Sequence, residues 1–483
     1  MSPENSRRLV LAATVLASAM AFIDGTIVSI ALPVIQAELS AAFQDLQWIV
    51  NGYTLMLGAL ILVAGALGDR VGRKRIFVSG IAIFAVASLL CAIASSVHIL
   101  IAARVLQGIG AALLVPQSLA IIAATFPRDV RGRAIGVWAA ASAITTALGP
   151  PIGGFLIDAF SWRAAFLINL PLSAVALWLA LAYVPESRDE TASGPIDWLG
   201  SAIVIASLGA LTYGLTLLSE GAARGLAAIS ALGIGVAGLA TFWRVEKRAA
   251  NPMLPATLFR SRPFLVANIL TLLLYGALSG VLFLLPFDLI ARRGMSASAV
   301  GTTLLPFGLI IGLLSQPAGG LADRYGPRAF LVGGSLAVAA ASAGLALNID
   351  NFWIGVFAPV VLMALGMAAV VSPLTTTVMN SAPDERSGAA SGINNAASRL
   401  AGLFAVAVLG AVAALIYHSA GAPGEARFGE LPATGDPARA GLEQAFLTAY
   451  AAAMALGAIA SALAGATAYF GLSRKAGGER GVE

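Results

Sequence analysis

"GALGDRVGRKR", Gly65 to Arg75, returns in partial form as "GGLADRYGPRAF" from Gly319. Gly65, Leu67, Asp69, Arg70 and Gly72 match Gly319, Leu321, Asp323, Arg324 and Gly326, each 254 residues further on. "PRDVRGRA" at Pro127 aligns more loosely with "PDERSGAA" at Pro383, 256 residues on. A spacing that drifts so little marks a duplication. In each copy the motif follows the second apolar run of its half.

Those runs decide the class. The 483 residues are 59% hydrophobic and 11% charged, against about 45–50% and about 25% in soluble proteins. Such a chain cannot cover a soluble surface, so it is read as an all-α integral membrane protein in a lipid bilayer. The net charge of +5 points to basic membrane-flanking loops and not to nucleic acid. The lone cysteine, Cys91, excludes an internal disulfide and reads as a small packing residue. The first apolar segment is too long for a signal-peptide core and ends without an A-x-A-like site, so it is a retained span.

A spanning helix needs about 20 largely apolar residues. Fourteen segments qualify: 9–35, 47–67, 76–96, 98–124, 134–157, 164–183, 198–218, 225–243, 264–290, 298–321, 329–347, 352–380, 390–416 and 443–470. With the N-terminus inside, the inner segments hold 21 Lys and Arg and the outer ones 6, the remaining two lying within spans. Both termini are therefore expected in the cytoplasm. Six spans with short loops need on the order of 200 residues, so the 254-residue offset leaves room for two more spans. The expected organisation is a six-span bundle over 1–184, a linker with inserted spans seven and eight over 185–263, and a second six-span bundle over 264–483. Parallel halves of this kind are a recurrent transporter plan.

The repeated loop has a physical logic. Gly65, Gly68 and Gly72 permit a tight turn and close helix approach. Asp69 suits the N-terminus of a neighbouring helix, and Arg70 and Arg73 are fork-shaped donors for carboxylates. The bland alternative, a solvated basic loop, is weakened by the second copy with Asp323 and Arg324.

Asp24 is the one charge between Leu9 and Ile35. An ionised Asp near mid-bilayer costs at least about 2.5–3.5 kcal/mol on insertion scales, so it faces a cavity, a partner or a proton. Two roles stay open here: a permanent structural pair with Arg104, or a group that takes up and releases a proton. Burial disfavours its charged form and a nearby cation favours it, which suits reversible protonation. Arg104 heads a helical stripe with Gln107, Gly108 and Ala111, or else snorkels to the span's end. Asp288 is a second site or an interfacial carboxylate, and Arg399 lines the inner cavity or ties its helix to a loop.

"GALGDRVGRKR" resembles the loop signature of the major facilitator superfamily. "LQGIGAALLVP" after Arg104 is similar to its fourth-span motif. "LGPPIGG", with Gly149, Pro150, Gly153 and Gly154, is similar to its fifth-span antiporter motif. "DGTIVSIALP", "WRAAFLINLP" and "DWLG" resemble its fourteen-span drug/proton antiporter branch. Thr145 stands where that motif has a glycine, and the second half lacks the "GP..GG" pattern. The resemblance implies the major facilitator fold, two six-helix bundles plus two inserted helices. It implies a proton-coupled antiporter exporting small lipophilic, drug-like substrates across the plasma membrane. It implies protons as coupling ions, no cofactor and no metal, and a monomer working alone or with envelope accessory proteins. By the same resemblance Asp24 and Arg104 couple protons, and Asp69 docks at the thirteenth span's N-terminus after Ser387 and Gly388. Substrate-cavity candidates are Thr26, Gln107, Gly108, Asp288 and Arg399. The alternatives are a single-metabolite exporter or importer of the same fold and, furthest off, a membrane enzyme or sensor. Neither H-E-x-x-H nor a P-loop occurs in the sequence.

Overall fold

The computed structural model of the protein describes residues 3–189, 197–218, 224–248, 257–383, 387–423, 426–432 and 436–472. The 185–197 connection, the basic seam 244–263, "PDERSGAA", the loop 417–442 and the C-terminal "SRK" lie partly or wholly outside these residues.

The apolar runs fold as helices α1 (Pro3–Leu39), α2 (Phe43–Val71), α3 (Arg73–Ala92), α4 (Val97–Thr125), α5 (Arg128–Ala159), the short α6 (Ala164–Leu167) and α7 (Asn169–Tyr183). There follow α8 (Trp198–Leu217), α9 (Gly225–Glu246), α10 (Arg262–Phe287), α11 (Ala297–Tyr325), α12 (Pro327–Ala346), α13 (Ala358–Asn380), α14 (Ser387–Ser419) and α15 (Arg439–Gly471). Among the described residues there is no strand. Among the described residues, thirteen helices are long and apolar enough to cross a bilayer, with α6 and α7 acting as one, and fourteen if α2, bent by 52° near residue 62, counts as a span. In a bilayer each backbone group must be satisfied internally, which is why apolar runs of this length become helices.

Local chemistry sets the helix ends. Gly72 at φ 126° ends α2, its N–H bonding to the Gly68 carbonyl at 3.0 Å. Gly326 at φ 92° ends α11 in the same way on Ala322 at 2.8 Å. The duplicated glycine is thus a duplicated positive-φ turn that other L-residues resist. Asp197 of "DWLG" caps α8, its carboxylate accepting from the Gly200 N–H at 2.7 Å.

Packing repeats as well. A Cβ on Gly80 of α3 would lie 2.8 Å from the Leu114 nitrogen of α4, and one on Gly110 of α4 2.6 Å from the Phe84 nitrogen. Between α12 and α13, a Cβ on Gly334 would lie 2.5 Å from the Gly366 carbonyl, and one on Gly366 2.6 Å from the Gly334 carbonyl. Gly334 and Gly366 stand 254 and 256 residues after Gly80 and Gly110, the same offsets as the loop motifs. Small residues that let backbones touch drive helix association where lipid removes the hydrophobic incentive.

The chain divides into two compact units. The first comprises Met1–Gly214, Gly225–Met253 and Leu289–Thr302; the second comprises Leu215–Arg224, Leu254–Asp288 and Thr303–Glu483. Most of α8, all of α9 and the first turn and a half of α11 therefore group with the first six-span bundle.

Candidate functional site

Five spans of the first unit meet at Asp24. The residue lies mid-way along α1, and its side chain is fully buried. Arg104 of α4 donates from Nη1 to Asp24 Oδ2 at 2.5 Å. Gln107, one turn on, donates from Nε2 to Oδ1 at 2.8 Å, and Asn169 of α7 donates to the same oxygen at 3.3 Å. The carboxylate thus accepts from three side chains, one of them a cation.

The partners are themselves fixed. Arg104 Nη1 also donates to Gln107 Oε1 at 2.6 Å, and Nε donates to the Ile49 carbonyl of α2 at 3.1 Å. The guanidinium lies 4.3 Å from the Tyr53 ring centroid and 5.9 Å from that of Phe166, a desolvated cation–π arrangement. Ser88 of α3 accepts from Gln107 at 3.2 Å and from Asn169 at 2.9 Å. Cys91, also on α3, points its thiol at Gln107 Oε1, 3.7 Å away. Arg104 is 1% exposed, so it does not snorkel.

Beside this sealed cluster α1 opens. Gly25 is exposed and nothing lies within 4 Å of where its Cβ would be. Helical spacing puts Phe22, Thr26 and Ser29 on the same face, all half-buried. Phe22 meets Trp138 of α5 edge-on, centroids 6.2 Å apart, and the Trp138 indole donates to Ser18 at 2.9 Å.

The antiporter motif packs two ways. A Cβ on Gly149 would strike the Thr26 hydroxyl, and one on Gly153 would lie 2.8 Å from Ile27, so this face of α5 lies on α1. Thr26 turns its hydroxyl back to the Ile23 carbonyl at 2.9 Å. The other face meets the first turn of α11. A Cβ on Gly154 would fall on the Ala297 carbonyl, and one on Gly301 on the Pro150 carbonyl. One turn beyond, Asp158 accepts from the Ala297 N–H at 3.1 Å and from the Ser298 N–H and hydroxyl at 2.8 and 2.5 Å. That carboxylate caps α11.

In the repeated loop, Arg73 donates from Nε and Nη2 to Asp69 Oδ1 at 2.9 and 2.7 Å. The turn rests on the segment after α7. Arg73 N–H donates to the Ser187 carbonyl and Asp189 N–H to the Asp69 carbonyl, each at 2.8 Å. Glu186 accepts from the Lys74 N–H at 3.1 Å, and a Cβ on Gly72 would lie 2.7 Å from its carboxylate. Gln117 of α4 fills the space beside Gly68 and donates to the Ala64 carbonyl at 2.7 Å. Gly65 faces open space and Arg70 lies in the last turn of α2. Asp323 and Arg324 are exposed in the last turn of α11. The side chains of Ser387 and Gly388, the expected docking point of Asp69, lie outside the described residues.

Gly108 is close-packed: its Cβ would lie 2.5 Å from the Tyr53 carbonyl, so a neighbour and not a ligand occupies that space. Asp288 is 2% exposed and opens a π-helical turn, Asp288–Arg292, after α10. Arg399 is half-buried on α14, within electrostatic range of Tyr275. Asn169, Ser88 and Glu186 enter these sites without having been singled out from the sequence. Asn169 stands inside "WRAAFLINLP", whose first two residues have their own task. The Trp162 indole donates to Glu38 at 2.9 Å and Arg163 pairs with the same carboxylate.

The pattern of the Major Facilitator Superfamily matches residues 14–406. The chain belongs to the major facilitator superfamily. This superfamily member is 35% identical over 407 residues to the multidrug resistance protein Stp of Mycobacterium tuberculosis, covering 84% of this chain and 76% of Stp. It is 35% identical over 404 residues to the tetracenomycin C resistance and export protein of Streptomyces glaucescens, covering 82% and 74% of the two chains. Its fold resembles that of a bacterial homolog of the human lysosomal transporter Spinster, solved inward-facing and unoccupied, with a TM-score of 0.69. That likeness covers 96% of this chain and 98% of the other at 17% identity. The superfamily member is therefore a multi-span membrane transporter and not an enzyme.

Proposed function

We propose that this transporter is a proton-coupled antiporter of the plasma membrane that exports lipophilic, drug-like compounds as a monomer, without a cofactor. The names of its relatives support drug export. The distribution of Lys and Arg supports cytoplasmic termini. The observation that carries the coupling is the Asp24 cluster.

Its chemistry suits a proton switch. The ionised carboxylate answers Arg104 directly. Protonation removes that charge and leaves Arg104 a buried, uncompensated cation, a costly state. Arg104 is also held on α2 by Ile49 and Tyr53, so the element released is α1. Proton uptake by Asp24 thereby loosens α1 from α4 and α7, beside the open face at Gly25. Inward proton movement supplies about 2.3 kcal/mol per charge per 100 mV, enough to drive export against a gradient.

Dye accumulation in intact cells tests the export reading. Cells lacking the protein accumulate more ethidium than expressing cells, and a proton uncoupler removes the difference. Equal accumulation with and without the protein, across cationic, neutral and acidic compounds, would refute drug export. A difference that survives the uncoupler would refute proton coupling.

A further inference from the structure

On α2, Gln47 and Asn51 are both fully buried. The nitrogen and the oxygen of each side-chain amide make no hydrogen bond among the described residues. Burying an unmade donor or acceptor costs free energy, and such groups are rare in well-packed proteins. Gln117, Asn169 and Asn348 each leave only the amide oxygen unmade, whereas Gln47 and Asn51, one turn apart, leave both atoms unmade among the described residues.

Their place on the helix separates them from the Asp24 cluster. Gly52, Tyr53 and Met56 turn toward α4: a Cβ on Gly52 would lie 3.0 Å from Val105, and Met56 and the Tyr53 carbonyl abut Gly108. Trp48 and Leu55 turn toward α8, at Tyr213 and Gly209. Gln47, Asn51, Thr54 and Gly58 recur at helical spacing and form a separate stripe. It carries no charge. Thr54 spends its hydroxyl on the Val50 carbonyl, 3.0 Å away, so the two amides hold the stripe's unspent hydrogen-bonding capacity.

We propose that Gln47 and Asn51 form a substrate subsite for neutral, oxygen-rich compounds that present a hydrogen-bond donor and acceptor along one edge. This rests on the drug-export reading and names a substrate class for it. Each amide offers donors and an acceptor. Side chains one helical turn apart have Cβ atoms about 5–6 Å apart, so the pair meets oxygens spaced along the edge of a fused ring. With no carboxylate in the stripe, cations gain nothing there. The transporter accepts the cost of the buried amides because a substrate, when bound, satisfies them.

Purified full-length protein tests this with two probes, 2,3-dihydroxyanthraquinone, whose adjacent hydroxyls offer a free donor and acceptor along one ring edge, and ethidium, followed by tryptophan fluorescence. The variants are Gln47→Met and Asn51→Leu, singly and together, which keep the shape and remove the polar atoms. An apolar replacement of an unpaired buried group is neutral or stabilising, so the apparent melting temperature holds or rises. Dihydroxyanthraquinone affinity falls about tenfold or more in the double variant, while ethidium affinity stays within about twofold. A lower melting temperature in both single variants would show that the amides have structural partners and would overturn the proposal. Equal loss of both probes, or loss of neither, would overturn it too. A wild type that binds ethidium but not dihydroxyanthraquinone would overturn the subsite alone, while the export reading stands or falls on the accumulation assay.

Discussion

Replacing Asp24 by Asn separates the structural from the coupling role of the carboxylate. Asn keeps the size but has one acceptor oxygen, where the carboxylate answers donors from Arg104, Gln107 and Asn169. At least one of these donors is left facing the new amide N–H₂, and Arg104 loses its counter-charge at 2.5 Å. Removing one partner of a buried pair costs about 3–5 kcal/mol. Gln107 Oε1 and the Ile49 carbonyl still accept from Arg104 at 2.6 and 3.1 Å, which puts the expected loss at the lower end, about 3 kcal/mol. Adding Arg104→Gln removes the stranded cation and recovers much of that stability, since the cost of the single change lies mainly in the uncompensated buried charge. Proton coupling does not return, because neither Asn nor Gln titrates. The assay is a thermal melt of each purified variant alongside proton release, read by a pH dye, when ethidium is added. Expected are a destabilised single variant, a recovered double variant, and proton release absent from both. Undiminished release in Asp24→Asn would leave Asp24 a purely structural residue and make Asp288 the next carboxylate to examine.

Asp158→Ala removes the cap from the first turn of α11 and lowers stability in a thermal melt by about 0.5–2 kcal/mol. Asp158→Asn, which keeps an acceptor, loses less. Gly72→Ala must hold φ 126° with its Cβ 2.7 Å from the Glu186 carboxylate; at about 1–2 kcal/mol for the left-handed conformation alone, it gives a less stable protein. Glu186→Ala, by making room, recovers part of that loss. Asp69→Asn breaks a half-exposed pair with Arg73 and costs under about 1 kcal/mol in the same melt, yet reduces ethidium efflux from cells; unchanged efflux would remove the loop from the gate. Reporter fusions at the C-terminus give the cytoplasmic phenotype and fusions within 417–442 the external one; the reverse result would invert the orientation.

What the sequence made legible follows from what stands out in an apolar run. Asp24 and Arg104 are charges where a charge is costly, and Gln107 follows Arg104 by one helical turn, so three members of the cluster are readable from spacing. Asn169 and Ser88 are uncharged and lie 145 and 64 residues from Asp24; small polar residues are ordinary in spans, and only the fold brings these two together. Glu186 lies in a connection whose composition suggests a loop, and its task emerges because Gly72 turns against it. Gln47 and Asn51 escape notice for another reason. Being unpaired is a property of a three-dimensional neighbourhood and has no periodic signature.

The duplication supplies the last step. Both halves keep the positive-φ glycine after the second helix and the glycine pair that lets two helices touch, at the same offsets. The scaffold therefore repeats, while its interior chemistry does not. Counting on by 254 from Asp24 reaches Leu278, and by 256 from Arg104 and Gln107 reaches Val360 and Met363. Val360 and Met363 are each 1% exposed, packed in an apolar interior. The second half thus shows how this framework is filled when no charge is needed. A buried ion pair is often no more stabilising than well-packed apolar side chains of similar volume, so the first half gains no fold from Asp24 and Arg104 that the second lacks. Departures from such local rules gather at functional sites. The polar cluster is confined to one copy of a scaffold that closes without it, and that asymmetry is the physical ground for reading it as the part that moves the proton.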